Sequence, residues 1–266
     1  YALARLPCRK LAILDSCHSG AVQPVMRQED LKSALRFLQD DLVLTLTASE
    51  GDEEAVEQEE NRLGRFTAAL LDALEIPKVA VRGVCGGGPS SIQFAIRHPD
   101  RCSSLVLLSA VSQRIPAQDL GPIEFFQWLL KYEFTGWLLV YPLRPLLLSF
   151  VGITPGVWVN MSPFEKAWVI RFARGLLPLK TRREGTLNDY IQFTDMAPLQ
   201  FDLIKSSCMV IHATDDPLVP IAHGHLSASS IPEARLVELP QGGHLLVGHH
   251  QTVTRFIKKF LEEHAN

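Results

Sequence analysis

The chain has 266 residues, 47% hydrophobic and 21% charged, enough for a substantial core in one large domain or two small ones. A net charge of −3 and an isoelectric point near 6.3 give no electrostatic case for nucleic acid or another polyanion as partner. Five cysteines, an odd count without paired spacing, argue against a disulfide scaffold and for a reduced, cytoplasmic compartment.

The chain begins at Tyr1, with neither an initiator methionine nor a charged-then-apolar leader, and is expected to be a fragment or a processed product. Lys10 to Asp15 (KLAILD) reads as a short buried strand ending at a polar turn, Ser16 to Gly20. Leu31, Leu35 and Leu38 fall at helical spacing behind a possible cap at Asp30. Leu42 to Ala48 (LVLTLTA) is a second strand, the acidic run Glu50 to Glu60 a solvated loop, and Thr67 to Leu74 (TAALLDAL) a helix. Val79 to Val84 and Leu105 to Ala110 are strands on either side of a helix that ends near Pro99. From about Ile115 to Lys205 the chain is rich in Trp, Phe, Leu and Pro without strand alternation, and reads as a helical insertion. Met209 to Ala213 and Arg235 to Leu239 are further strands, and Gln251 to Glu263 a closing amphipathic helix. Strands alternating with helices predict an α/β fold: a mostly parallel, doubly wound sheet of about six strands with a helical cap insertion.

Within the insertion, Gly136 to Val159 is strongly apolar but carries Arg144, Pro142, Pro145 and Pro155. A spanning helix accommodates these poorly, so the segment is expected to line a pocket, and no membrane partner is expected. The aromatics of the insertion, such as Trp128, Trp137 and Phe150, are expected to lie over the site and in part to line an apolar pocket.

The stretch from Val79 to Pro99 (VAVRGVCGGGPSSIQFAIRHP) places Cys85 in a glycine-rich turn between a strand and a helix. Such a turn exposes a nucleophile and aims the next backbone N–H groups, Gly86 first, at a developing oxyanion. Gly83 and Gly87 leave room for it, and the helix N-terminus favours a thiolate. The run Gly86-Gly87-Gly88 also invites a phosphate-loop reading, but no Gly-Lys-Ser/Thr follows and the spacing is not Gly-x-Gly-x-x-Gly. Downstream, Asp216 follows a strand in HATDDPLVP and His244 follows the last strand in LPQGGHLL. A thiol, a histidine and a carboxylate past strand ends suit nucleophilic acyl chemistry. Asp215 is the alternative acid. His212 reads as a strand-end core residue, His249 and His250 as solvated positions, and Cys102 and Cys208 as buried small apolar residues.

The order Cys85, Asp216, His244 resembles that of the α/β-hydrolase fold family, continuously from about Leu71 to Asn266, with the insertion as its cap. The resemblance implies that Cys85 attacks an ester, lactone or related acyl carbonyl of a small molecule. His244 would then serve as base and then acid, Asp216 would orient it, and Gly86 would donate to the oxyanion. No metal or cofactor is implied. Most of the family carries serine at this position; the cysteine is similar to that of dienelactone hydrolases. The first strands of the family, with the loop that gives a second oxyanion donor, have no counterpart in this reading, which implies weakened activity.

The front of the chain resembles another family. Ile13 to Gly20 (ILDSCHSG), followed by TASEGDEEAVE and GRFTAALLDAL, is similar to caspase-like peptidases of the metacaspase branch, over about Leu11 to Leu74. That resemblance implies Cys17 as nucleophile, with Asp15 helping to line a pocket for a basic side chain. A histidine base from an earlier strand is missing, and His18 adjoins Cys17 in a chain where neighbours point opposite ways. The chain is therefore expected to join a caspase-like segment, 1–74, to an α/β-hydrolase segment, 75–266, with the cap at about 115–205 and one shared sheet. The alternatives are a caspase-like peptidase acting through Cys17, and an inactive fusion or small-molecule-binding protein. The oligomeric state is left open.

Overall fold

A computed structural model describes residues 76–264, residue 121 apart, together with two strands near the start of the chain. It divides into two compact units, Tyr1–Ile76 and Pro77–Asn266. In the first, β1 (Lys10–Leu14) and β2 (Val43–Thr47) pair in parallel, Lys10 opposite Val43 and Leu14 opposite Thr47.

The second unit is built on four strands: β3 (Val79–Val84), β4 (Cys102–Leu108), β5 (Ser207–Ala213) and β6 (Arg235–Leu239). They lie side by side in that order, and every pairing is parallel. Of the about six strands expected in this sheet, the described residues give four, while β1 and β2 pair with each other. Apolar runs announce strands; they do not say which edges meet.

Helix α1 (Gly88–Arg97) links β3 to β4 and packs on both. It starts with Pro89 in its first turn, where a missing N–H costs nothing. Strand β4 is buried along almost its whole length, as a parallel strand covered on two faces must be. On one face Val106, Leu108, Met209, Ile211 and Ala213 pack against Val253, Ile257 and Phe260 of the last helix, α10 (His250–Glu263). Residues of the other parity, Cys208, Val210 and His212, point to the opposite face, where α9 (Ile221–Ser230) packs on β5 and β6. So the four-stranded sheet is wound on both sides. Cys102 and Cys208 are buried in it, and burial pushes the Cys208 thiol up to about 12, with the neighbouring Cys102 adding to the shift.

Between β4 and β5 the described chain forms no strand. It runs through α2 (Ala117–Leu120), α3 (Ile123–Leu129), α4 (Glu133–Val140), α5 (Arg144–Phe150), α6 (Pro155–Asn160), α7 (Pro163–Gly175) and α8 (Arg183–Thr194). The cleanest start is that of α7, where Ser162 accepts from the Glu165 N–H and Glu165 reaches back to the Ser162 N–H. Trp128, Trp137 and Phe150 are each about half exposed. No helix among the described residues is long and apolar enough to cross a membrane.

Candidate active site

Cys85 follows β3 directly and adopts φ +51°, a left-handed conformation that a side chain rarely takes. The turn is held by the chain beyond β4. The Val111 N–H donates to the Cys85 carbonyl at 2.9 Å, and a Cβ on Gly88 would come within 2.2 Å of the Val111 carbonyl oxygen. Only glycine permits that approach. Gly83 is similarly enclosed, by Ser91 and Leu107. The bend therefore carries Cys85 out of the sheet, half-buried, with Gly86 opening a short helical turn behind it.

Asp216 comes just after β5 and is buried. Its Oδ1 accepts the Leu218 and Val219 N–H groups at 2.9 and 3.0 Å. Its Oδ2 lies 2.9 Å from His244 Nδ1 and 3.4 Å from His212 Nε2. Burial acts to raise this carboxyl, but hydrogen bonds from His212 and His244, the His244 charge and the Val219 N–H hold it well below the usual carboxylate range.

His244 sits in the loop after β6, also buried. Its Nδ1 donates to Asp216, and Cys85 lies close enough to the ring to act on its charge. Burial disfavours the imidazolium, yet hydrogen bonds to Asp216 and Cys85 and the charges of both raise its pKa to about 10. Asp216 and Cys85 thus both favour the charged form of the ring.

Asp215 has a different place. Its carboxylate accepts the Gly242 and Gly243 N–H groups at 3.2 and 2.8 Å, pinning the loop that carries His244. The insertion holds the same loop: the His244 N–H donates to the Val151 carbonyl at 3.0 Å, and the Gly248 N–H to Glu165 at 2.7 Å. Gly243 has φ +57°, and a Cβ there would meet the Val151 carbonyl oxygen at 2.5 Å. A further insertion residue, Phe193 of α8, lies over Gly86, whose added Cβ would meet the ring at 2.8 Å.

The spacing Ser162-x-x-Glu165 is a readable capping signal, but nothing in it tells that Glu165 also ties down the histidine loop. Likewise, His212 reads as core and is fully buried, yet its Nε2 faces Asp216 and the Val219 carbonyl, at 2.7 Å. Behind it, His223 accepts the Ser112 N–H at 3.1 Å on Nδ1. A cavity of about 700 Å³ opens nearby between Ser112, Arg114, Met196, Phe201 and Leu226, without Cys85, Asp216 or His244 in its wall. Among the described residues no group of three or more His, Cys, Asp or Glu could hold a metal ion. Asp15 and Cys17, the peptidase candidates, lie outside the described residues.

A parallel sheet with these three side chains past its strand ends fits one family in particular. The family described as alpha/beta hydrolase fold matches residues 54–250, and the chain belongs to it. Its class is that of the hydrolases. The match begins inside the segment that resembles caspase-like peptidases, upstream of where the hydrolase resemblance was placed.

Two relatives place it among named enzymes. It is 27% identical over 206 residues to the poly(3-hydroxyalkanoate) depolymerase of Ectopseudomonas oleovorans, covering 76% of this chain and 67% of that protein. It is 24% identical over 194 residues to the 2-hydroxy-6-oxo-6-phenylhexa-2,4-dienoate hydrolase of Burkholderia cepacia, covering 70% and 63%. The chain thus spans about two thirds of the length of these relatives. Among solved structures it is similar in fold to an alpha/beta hydrolase fold protein from Nakamurella multipartita, with TM-score 0.65, 22% identity and coverage of 96% of this chain and 92% of that one. The enol-lactonase from Burkholderia xenovorans LB400 is comparable, with TM-score 0.64, 18% identity and the same coverage.

Proposed function

We propose that the chain is a thiol hydrolase acting on an ester, lactone or related acyl carbonyl of a small molecule, with Cys85 as nucleophile. The observation that carries this reading is the buried His244 ring, its Nδ1 2.9 Å from Asp216 Oδ2, together with Cys85 in a left-handed turn directly after β3. His244 beside the sulfur can take the thiol proton as the sulfur attacks, and Asp216 stabilises the imidazolium so formed. The thiolate attacks the carbonyl carbon, and the π electrons move onto the oxygen. The Gly86 N–H, at the start of the helical turn, is the donor assigned to that oxyanion. The intermediate collapses, the leaving oxygen takes the proton of His244, and a thioester remains on Cys85. Neutral His244 then removes a proton from water, which attacks the thioester. The acid departs, and the proton returns to the thiolate–imidazole pair. Asp216 keeps the imidazole in the tautomer these transfers need.

The insertion serves as the cap in this reading, supported by Phe193 over Gly86 and by the Val151 carbonyl on the histidine loop. The named relatives, a polyester depolymerase and a dienoate hydrolase, favour an acyl substrate with an apolar chain. A reducing, cytoplasmic setting keeps Cys85 a thiol.

The test is hydrolysis of a panel of nitrophenyl acyl esters, with and without iodoacetamide. Alkylation of one thiol, mapped to Cys85, should abolish turnover, and Cys85→Ala should lower it by roughly a thousandfold or more. Turnover that survives Cys85→Ala would refute the assignment. Loss of turnover through Cys17→Ala, with Cys85→Ala silent, would move the chemistry to the front of the chain.

A further inference from the structure

The insertion reaches the reacting centre from two directions. From one, it holds the loop that carries His244. A Cβ on Gly243 would meet the Val151 carbonyl oxygen at 2.5 Å and Gly152 Cα at 2.8 Å, and the Gly248 N–H donates to Glu165. From the other, Phe193 of α8 stands over Gly86. A Cβ on Gly86 would lie 2.8 Å from Cζ of the ring and 3.7 Å from both Cε1 and Cε2, so the ring points end-on at the turn behind Cys85. Its place is built into the fold. The Ile115 N–H donates to the Phe193 carbonyl at 3.0 Å, and Arg114 Nε to the Thr194 carbonyl at 2.6 Å. The same stretch beyond β4 holds the Cys85 turn, through the Val111 N–H on the Cys85 carbonyl. The ring packs against the buried cluster of Val111, Ile115 and Val219, as do Met196 and Leu218.

Stereochemistry divides a substrate between these two sides. Besides the incoming sulfur, the carbon under attack carries the oxygen that becomes the oxyanion, the leaving oxygen and the acyl chain. The oxyanion belongs at the Gly86 N–H. The leaving oxygen must come within reach of His244, which gives it a proton, and so lies toward Val151 and Gly152. The acyl chain takes the remaining side, where Phe193 and its apolar neighbours stand. Leu218 packs against the cluster of Val151 and against that of Val111, and so marks the boundary between the two sides. The neighbours of Phe193 in this cluster carry no hydrogen-bonding side chain, so the group they suit is hydrocarbon. A ring whose tip already touches the turn leaves little depth beside Gly86, so that hydrocarbon must be short.

We infer that Phe193 sets the length of acyl chain the site accepts and confines it to esters of short hydrocarbon acids. The ring acts by its bulk and takes no part in the bond changes, and it leaves the choice of alcohol to the side of Val151 and Gly152. This deepens the proposed hydrolysis and rests on it.

The test is kcat/KM of the whole chain on nitrophenyl acetate, butyrate and octanoate, in the unaltered protein and in Phe193→Leu and Phe193→Ala. In the unaltered protein the value should fall by roughly tenfold or more from butyrate to octanoate. Phe193→Ala should raise the octanoate value by roughly tenfold, mainly through KM, and leave acetate within a few-fold. Phe193→Leu should lie between. Butyrate esters of a series of alcohols should keep one order of preference in all three proteins. If Phe193→Ala does not fold, the fall from butyrate to octanoate in the unaltered protein and its easing in Phe193→Leu decide. Turnover that depends on Cys85 but is as fast on octanoate as on butyrate overturns the inference alone. So does a chain-length profile that the substitutions leave unchanged, or an equal loss on all three esters, which would reduce the ring to support for the fold. No turnover of any ester, or turnover that survives Cys85→Ala, refutes the hydrolase reading and this inference with it.

Discussion

His212 Nε2 lies 3.4 Å from Oδ2 of Asp216, the oxygen that His244 Nδ1 reaches at 2.9 Å. The carboxylate therefore stands between two imidazoles. His212 is held from its far side: its Nε2 donates to the Val219 carbonyl at 2.7 Å, and its Nδ1 has no hydrogen-bond partner. The Val219 N–H in turn donates to Oδ1 of Asp216 at 3.0 Å, which closes the group on itself. A residue so placed does not touch the acyl group. It sets the position and charge of the acid that orients His244.

His212→Leu should therefore lower kcat/KM by roughly tenfold, the scale of losing one hydrogen bond to a charged group. It should also move the acid limb of the pH–rate profile to higher pH, because a carboxylate that loses a donor is easier to protonate. His212→Gln, which returns an N–H near the same point, should restore both. A profile that keeps its limb in the Leu variant would reduce His212 to packing.

His223 and His244 give stability opposite slopes in separate pH ranges. Burial lowers the His223 pKa from 6.5 to about 4, with the charge of His212 adding to the shift and that of Asp216 opposing it. Between those values the unfolded chain binds the proton and the folded chain does not, so stability falls as pH drops from 6.5 toward 4. The His244 pKa is raised from 6.5 to about 10, so its contribution is complete below 6.5 and is lost as pH rises toward 10. Urea midpoints across these ranges should fall on both sides of 6.5. His223→Asn, which keeps an acceptor for the Ser112 N–H, should flatten only the acid side.

Gly243→Ala should cost about 1–3 kcal/mol, the scale of backbone strain at a positive φ, and more if the loop cannot yield. The added Cβ would meet the Val151 carbonyl oxygen at 2.5 Å, where the insertion accepts the His244 N–H. Esterase activity should drop further than the loss of folded protein explains, because His244 moves with the loop. A variant with a wild-type urea midpoint and normal turnover would contradict this account.

Gly86 and Phe193 should couple. A Cβ at residue 86 would meet the Phe193 ring at 2.8 Å, so Gly86→Ala must displace the ring or the turn that presents Cys85. Activity should fall by roughly tenfold or more, the scale set by loss of an oxyanion donor. Phe193→Ala in the same chain should recover part of it. A double-mutant cycle with no coupling would mean that the ring does not bear on Gly86.

Several strands were legible in the sequence because buried parallel strands are apolar runs that need no context to be seen. Arg235 to Leu239 matches β6 residue for residue, and the runs beginning at Lys10 and Leu42 match β1 and β2 within a residue. Helix α9 was not legible. Its segment Ile221–Ser230 has Gly224, three serines and little amphipathic order, and it is helical because it packs on β5 and β6.

The sequence by itself determined the family and the order Cys85, Asp216, His244, since these are properties of linear spacing; the strand expected at Leu105 to Ala110 instead spans Cys102–Leu108. Only the tertiary structure decided which aspartate faces the histidine and which one holds its loop. Adjacent residues differ in direction, and direction comes from the turn after β5. It alone showed His212 against Asp216, because a buried histidine in an apolar strand has no local mark of its partner. It alone gave the exposure of Trp128, Trp137 and Phe150, each about half exposed, because composition does not say where an apolar side chain points.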